Sequence, residues 1–193
     1  MQYLTVGTDV IDNNKFIPIN DTDNELMKPN GGMWFTKYYE EYKNYNEWVD
    51  FIVNNPDLLF YINHSTDIWH QPCSLITLNK DTNMYMLDSF KSWLYLLKEF
   101  PYNETKFSYQ KLSKDFDCIY VDVNKLFHEL KDDNMFRLIR QFGVSSLILF
   151  NLDCIEYYQS GIVNITSFDF EYYEYEDISY EIAIEKTKKK ILK

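Results

Sequence analysis

Short apolar runs alternate with longer amphipathic stretches along this chain, and the pattern predicts strands and helices in mixed order. Gln2 to Thr8 reads as an opening strand with Gly7 near its end. From Asp12 to Asn30 the chain is rich in Asn and Asp around a strand-like insert at Phe16 to Ile19, and most of it reads as loop. Met33 to Thr36 predicts a short strand, because aromatic and β-branched residues suit a pleated surface. Asn46 is placed to cap a helix whose Trp48, Phe51 and Ile52 share one face, and Pro56 ends it. Leu58 to Ile62 is a short apolar run, and Asn63 to Gln71 reads as loop. Ser74 to Leu78 and Met84 to Leu87 flank Asn79 to Asn83, which predicts a hairpin.

Asp88 or Ser89 then caps a helix carrying Phe90, Trp93, Leu94 and Leu97 at the i, i+3, i+4, i+7 spacing, and Pro101 stops it. Tyr109 to Asp115 reads as a short helix and Cys118 to Val121 as a strand. Two more amphipathic helices follow, one with Val123, Leu126, Phe127 and Leu130, the other with Met135, Leu138, Ile139 and Phe142 before Gly143. Val144 to Phe150 has the composition of a buried central strand. The character changes from Ile162: Phe168 to Tyr172 alternates aromatic with acid, as a half-buried strand does. Ser179 to Lys193 then reads as a helix ending in a Lys-rich run. Short strands with separate helices indicate an α+β fold, and 193 residues suit a single domain.

A net charge of −11 argues against a general nucleic-acid binder, since phosphate backbones need basic patches. It suits a mimic of nucleic acid or a basic partner instead. Aromatics make up 18% of the chain, with 17 Tyr, so amphipathic surface is plentiful. Cys73, Cys118 and Cys154 are odd in number and widely spaced, which implies reduced thiols rather than a disulfide framework. No apolar run approaches the length of a membrane span and no secretory leader pattern opens the chain, so the expected location is cytoplasmic.

Candidate chemistry narrows quickly. His64, His70 and Cys73 match no standard metal spacing. No Gly-x-Ser-x-Gly elbow and no Walker phosphate loop occur. His70 or His128 could serve a Cys118 or Cys154 nucleophile, but each thiol sits in an apolar run, where Cys is usually inert. The most distinctive stretch is Met27 to Lys37. Pro29 fixes its own φ, Gly31 and Gly32 permit a tight turn or a close approach, and Trp34 and Thr36 follow on the strand. A basic residue, an open backbone, an aromatic wall and a hydroxyl suit a flat anionic ligand. The plainer reading of the same residues is a Pro-Gly-Gly turn entering a core strand.

Several patches together resemble small ADP-ribosyltransferase-like proteins of bacteriophages and prophages. Val6-Gly7-Thr8 looks like the Gly-Thr or Gly-Ser end of that group's first strand. Lys28-Pro29-Asn30-Gly31-Gly32-Met33-Trp34-Phe35-Thr36 is similar to its Lys-Pro-x-Gly-Gly-Leu-Trp-x-Ser element. Trp48 matches a Trp-containing helix, Leu87-Asp88-Ser89 an Asp-Ser-led helix, and Phe116-Asp117-Cys118-Ile119 an aromatic-Asp-Gly-Ile element. Ser145-Ser146-Leu147-Ile148 aligns with a late strand that often reads Glu-Ser. The likeness covers about residues 2 to 155, leaving the tail after Tyr157 outside it.

The resemblance implies a mixed, split β-sheet with flanking helices and NAD, as substrate, in the cleft between the halves. Residues 1–157 would form that domain, with the acidic aromatic strand and Lys-rich helix of 158–193 packed on it. It implies cofactor-binding roles for Gly7 (the nicotinamide amide), Thr8 (the ribose), Lys28 (the pyrophosphate), Gly32 and Trp34 (a wall). Thr36, Asp117 and Ser145 fall at the catalytic positions, where Ser145 stands in place of an acid and cannot supply its charge. The expected function is binding of NAD or a related nucleotide and, if active, transfer of ADP-ribose to a host macromolecule. The alternative is a non-enzymatic acidic inhibitor of phage type that blocks a basic partner. The expected partners are a nucleotide and a host protein, not a membrane.

Overall fold

β1 (Gln2–Val6) lies between two antiparallel neighbours, the second half of β2 (Met33–Tyr39) and β4 (His70–Leu78). The computed structural model describes residues 1–21, 27–39, 45–55, 70–164 and 170–173. Within them the chain is mixed α+β, as its pattern predicts, and it divides into two compact units. Unit one takes residues 1–11, 36–78 and 155–193; unit two takes 12–35 and 79–154.

In unit one, β4 pairs along its length with β8 (Ile155–Asn164), and β8 pairs with β9 (Phe170–Tyr173). The two-residue β3 (Tyr45–Asn46) pairs with the end of β2 and leads into α1 (Glu47–Asn54). Leu4, Val6, Tyr38, Val49, Ile52, Cys73, Leu75 and Val163 close this core. Asn46 starts α1 as the sequence predicts: its Oδ1 accepts from the backbone N–H of Trp48 and Val49 at 3.0 and 3.1 Å. Its Nδ2 donates to Thr36 Oγ1 at 2.7 Å and to the Lys37 carbonyl at 2.9 Å. The side chain therefore ties strand to helix while fully buried. Asn46→Ala removes the cap and leaves buried acceptors without a donor, so we expect a loss of about 2–4 kcal/mol in urea unfolding. Asn46→Asp keeps the cap but cannot donate, and should fall between the two; equal stability of all three would rule out this double role.

In unit two, β5 (Met84–Leu87) runs parallel to β6 (Cys118–Val121), β6 is antiparallel to β7 (Ser146–Leu149), and β7 is antiparallel to the first half of β2. Among the described residues it holds the helices α2 (Phe90–Glu99), α3 (Tyr109–Leu112), α4 (Val123–His128) and α5 (Asp133–Phe142). Every residue of β6 and β7 is buried, which accounts for their apolar sequence, broken only by Ser146. The core joins Leu87, Ile119, Val121 and Ile148 from strands to Trp93, Leu96, Leu126, Met135 and Leu138 from helices. Gly143 ends α5 with φ 76°, a positive value that favours glycine, and donates its N–H to the Ile139 carbonyl.

Several expectations need correction. Ser74–Leu78 and Met84–Leu87 do not form a hairpin: β4 bonds to β1 and β8, β5 to β6. Asn79 instead donates its N–H to the Cys154 carbonyl at 2.9 Å. His70 and Gln71 are not loop but the start of β4. On α2, Leu96 is buried and Leu94 is 47% exposed, so the core face is rotated from the expected one. On α4, Phe127 is exposed, and Leu130 lies beyond the helix. The helix from Tyr109 ends at Leu112, not Asp115. β8 is a strand that the pattern did not predict, and it runs through position 157 without a break. Leu58 to Ile62 and the helix expected over 179–193 lie outside the described residues, as do Phe168 and Asp169 of the acidic strand.

Candidate functional site

Lys28 to Trp34 form a turn whose shape is set by backbone contacts. Asn20 and Asn30 exchange backbone hydrogen bonds of 2.8 and 2.9 Å, and the Gly32 N–H donates to the Ile17 carbonyl at 2.8 Å. Gly31 and Gly32 have φ of 72° and 66°, a region that L side chains rarely adopt. A Cβ on Gly31 would lie 2.3 Å from the Pro18 carbonyl oxygen, and one on Gly32 2.9 Å from the Leu149 carbonyl oxygen, so the loop requires the first glycine and β7 the second. The Trp34 indole N–H donates to the Gly31 carbonyl at 3.2 Å and pins the ring back over the turn.

Trp34 and Phe142 meet at 5.3 Å between ring centroids. The Lys28 ammonium lies 5.3 Å from the Trp34 centroid and 5.6 Å from that of Phe142. Such a cation over two ring faces is attracted by their quadrupoles. Burial lowers the Lys28 pKa from the ordinary lysine value, because the charged form loses hydration. Beside it is a depression of about 280 Å³, counting its open mouth, lined by Asp21, Lys28, Tyr102, Lys106, Phe107 and Tyr109 among others. The Asp21 carboxylate accepts from Ser108 Oγ and from the Tyr109 N–H, the latter at 2.7 Å. Tyr109 donates its hydroxyl to the Met27 carbonyl at 3.0 Å, and burial beside Asp21 raises its pKa.

Of the residues singled out in the sequence, Lys28, Gly32 and Trp34 are brought together in this turn, within unit two. Gly7 and Thr8 belong to unit one: Gly7 has φ 101° and donates its N–H to the Pro72 carbonyl at 2.7 Å. The Thr8 hydroxyl donates to the Val10 carbonyl at 3.1 Å. Thr36, also in unit one, is 4% exposed and its hydroxyl accepts from Asn46. Asp117 and Ser145 lie in unit two at opposite ends of the β6–β7 pair, since Cys118 faces Leu149 and Val121 faces Ser146. At about 3.3 Å per residue that is on the order of 16 Å, too far for both to act on one atom. The Asp117 carboxylate accepts from the Asn83 N–H at 2.9 Å and from Asn151 Nδ2 at 3.1 Å, which fastens three loops. Ser145 is buried before β7.

The thiols are poor nucleophiles. Burial raises the pKa of Cys73, Cys118 and Cys154, that of Cys154 to about 11, so neutral pH leaves almost no thiolate. His70 and Cys73 stand three apart on β4, hence on opposite faces, and His64 is outside the described residues. Among the described residues no three of His, Cys, Asp and Glu converge on a metal position, and no helix is long and apolar enough to cross a membrane. Lys106 and Tyr102 escaped the sequence reading, and Phe142 was read only as a core position of its helix. The only signal for them is a lysine amid the aromatics of 102–109, too common a pattern to single out. No protein-family model matches the chain, and comparison with curated proteins and with solved structures finds no match.

Proposed function

We propose that this is an ADP-ribosyltransferase-like protein that binds NAD or a related nucleotide, with Lys28 and Trp34 as the binding pair. The observation that carries the reading is the Lys28 ammonium poised 5.3 Å from a half-buried indole, directly before a turn that only glycines can make. Stacking on the indole suits a planar base, and a neighbouring ammonium suits the phosphates attached to it.

The transfer half of the reaction is less well provided. The Gly7 N–H is spent on Pro72, the Thr36 hydroxyl is held by Asn46, and Ser145 brings no negative charge to an oxocarbenium-like state. We therefore derive binding from these residues and no transfer step. Calorimetric titration with NAD should give saturable binding that weakens about tenfold or more in Trp34→Ala, the loss of roughly one stacking contact. Absence of binding, or equal binding by the variant, rejects the nucleotide site. Nicotinamide release on incubation with NAD, lost in a Trp34→Ala, Thr36→Ala double variant, would extend the function to ADP-ribose transfer to a host macromolecule; none, or equal release by both, removes the transferase activity.

One observation favours the non-enzymatic alternative, an acidic protein that blocks a basic partner. β8 presents Tyr157 and Tyr158, 51% and 45% exposed, next to the exposed Glu156 in a chain of net charge −11. Association of that kind weakens steeply with salt; a salt-insensitive complex would exclude it.

A further inference from the structure

We infer that the outer side of β5 takes up β5 of a second copy of this chain, as an antiparallel pair centred on Tyr85. The inference is independent of the nucleotide reading. β5 is the last strand of its sheet, and among the described residues only β6 pairs with it. The Leu87 carbonyl accepts from the Asp122 N–H at 2.9 Å, so Leu87 and, by strand alternation, Tyr85 turn their backbone groups towards β6. Met84 and Met86 therefore turn both N–H and C=O outwards, where no strand of the described residues meets them. Such unpaired groups invite a further strand. Pairing would end at Asp88, whose N–H is held by Ser92 Oγ at 3.1 Å.

Charge and register select the occupant. Residues 82–87 carry no charge in a chain of net charge −11, so neither a basic nor an acidic segment finds a counter-charge along this strand. An uncharged strand matches it, and β5 is one. Two antiparallel copies put Met84 opposite the second copy's Met86 and Met86 opposite its Met84, which pairs every outward group. Tyr85 then meets its own counterpart on the two-fold axis, at a position where facing Cβ atoms lie about 4.5–5.5 Å apart. Both rings fall on the helix side, because Tyr85 donates its hydroxyl to the Ser92 carbonyl at 2.8 Å and stacks on Tyr95 at 5.8 Å. Tyr95 is itself 47% exposed, and Met86, on the opposite face, 39%. A four-residue strand with these side chains covers less than the roughly 1,200 Å² of stable complexes, so the dimer is weak and concentration-dependent.

Sedimentation of the full chain from about 1 μM to about 1 mM should show the average mass rising towards that of two chains. Added salt should strengthen the dimer, since screening relieves repulsion between two acidic copies. Amide exchange on the parent protein gives the residue-level reading. The Met84 and Met86 N–H should exchange about tenfold more slowly at high concentration, and those of Tyr85 and Leu87 no differently. Met86→Pro removes an outward N–H, which an outermost strand tolerates, and Met86→Lys adds a charge there; each should weaken association about tenfold or more. Melting curves establish folding, and Met86→Lys decides if the proline variant does not fold. Phe127→Ser, at an exposed position of α4, should leave association unchanged. A monomer at every concentration overturns the inference, whether β5 then meets water or another protein's strand. A dimer that survives both Met86 variants, or that Phe127→Ser abolishes, overturns it as well.

Discussion

Gly31→Ala should lower the unfolding free energy by about 3–5 kcal/mol, a large share of the 5–15 kcal/mol typical of natural domains. Two effects add. An L residue held at φ 72° carries about 1–2 kcal/mol of left-handed strain. The new methyl would also sit 2.3 Å from the Pro18 oxygen, 2.7 Å from the Ile17 oxygen and 2.9 Å from the Pro18 carbonyl carbon. All three are backbone atoms, so no side chain can rotate away. Relief requires moving residues 17–18, and with them the bond from the Gly32 N–H to the Ile17 carbonyl. The Gly31 carbonyl that holds the Trp34 indole would shift too, so tryptophan fluorescence should change before global unfolding. Urea denaturation measures the stability; a loss under 1 kcal/mol would show that the turn is not pinned against that loop.

Alkaline solution should unfold the chain well before it hydrolyses anything. Cys73 and Cys118 are fully buried, and burial raises their pKa above that of the unfolded chain. Between the unfolded value, about 8.5, and the folded one, the unfolded chain loses its proton and the folded chain keeps it. The unfolded state then binds fewer protons, so stability falls as pH rises. Each thiol contributes a slope of about 1.4 kcal/mol per pH unit. Together they remove about 5 kcal/mol between pH 8.5 and 10.5, and buried Tyr109 adds its own loss above pH 10. Lys28 works in the other direction, because its lowered pKa makes the folded state shed its proton first. One half-buried amine does not offset two buried thiols. Urea midpoints under reducing conditions from pH 7 to 10.5 read the slope directly, and Cys73→Ala with Cys118→Ala should flatten it. A level profile in the parent protein would refute the assignment.

Sequence reading succeeded where one local rule decided the outcome. Cys118 to Val121 is apolar on both faces and is a buried strand throughout, and the run expected over Val144 to Phe150 is a buried strand over its middle, Ser146–Leu149. Met135, Leu138, Ile139 and Phe142 all fall on one helical face, and all are buried. Asn46 announced its helix by chemistry that a side chain performs on its own next few residues. It failed where a distant partner decides. β8 has Glu156, Gln159, Ser160 and Gly161 among its ten residues and looks unlike a strand; its pairing with β4 makes it one. The hairpin expected at Asn79 failed for the same reason, since each flanking strand found another neighbour. The turn at Gly31 was legible as a turn, and its glycines are accounted for by packing alone. Lys106 was not legible, because nothing in residues 102–109 says which residues from the chain's beginning they meet.

The split of each unit across the chain bears on how the protein emerges from a ribosome. β4 is complete at Leu78, but its longest neighbour does not begin until Ile155. At ordinary elongation speeds of about 5–20 residues per second, one side of β4 waits roughly 4–15 s for its mate. An open strand edge of nine residues is a template for other nascent chains during that interval. A fragment stopping at Cys154 would carry the bare edge permanently, so yield on expression should drop sharply between chains ending just after and just before β8.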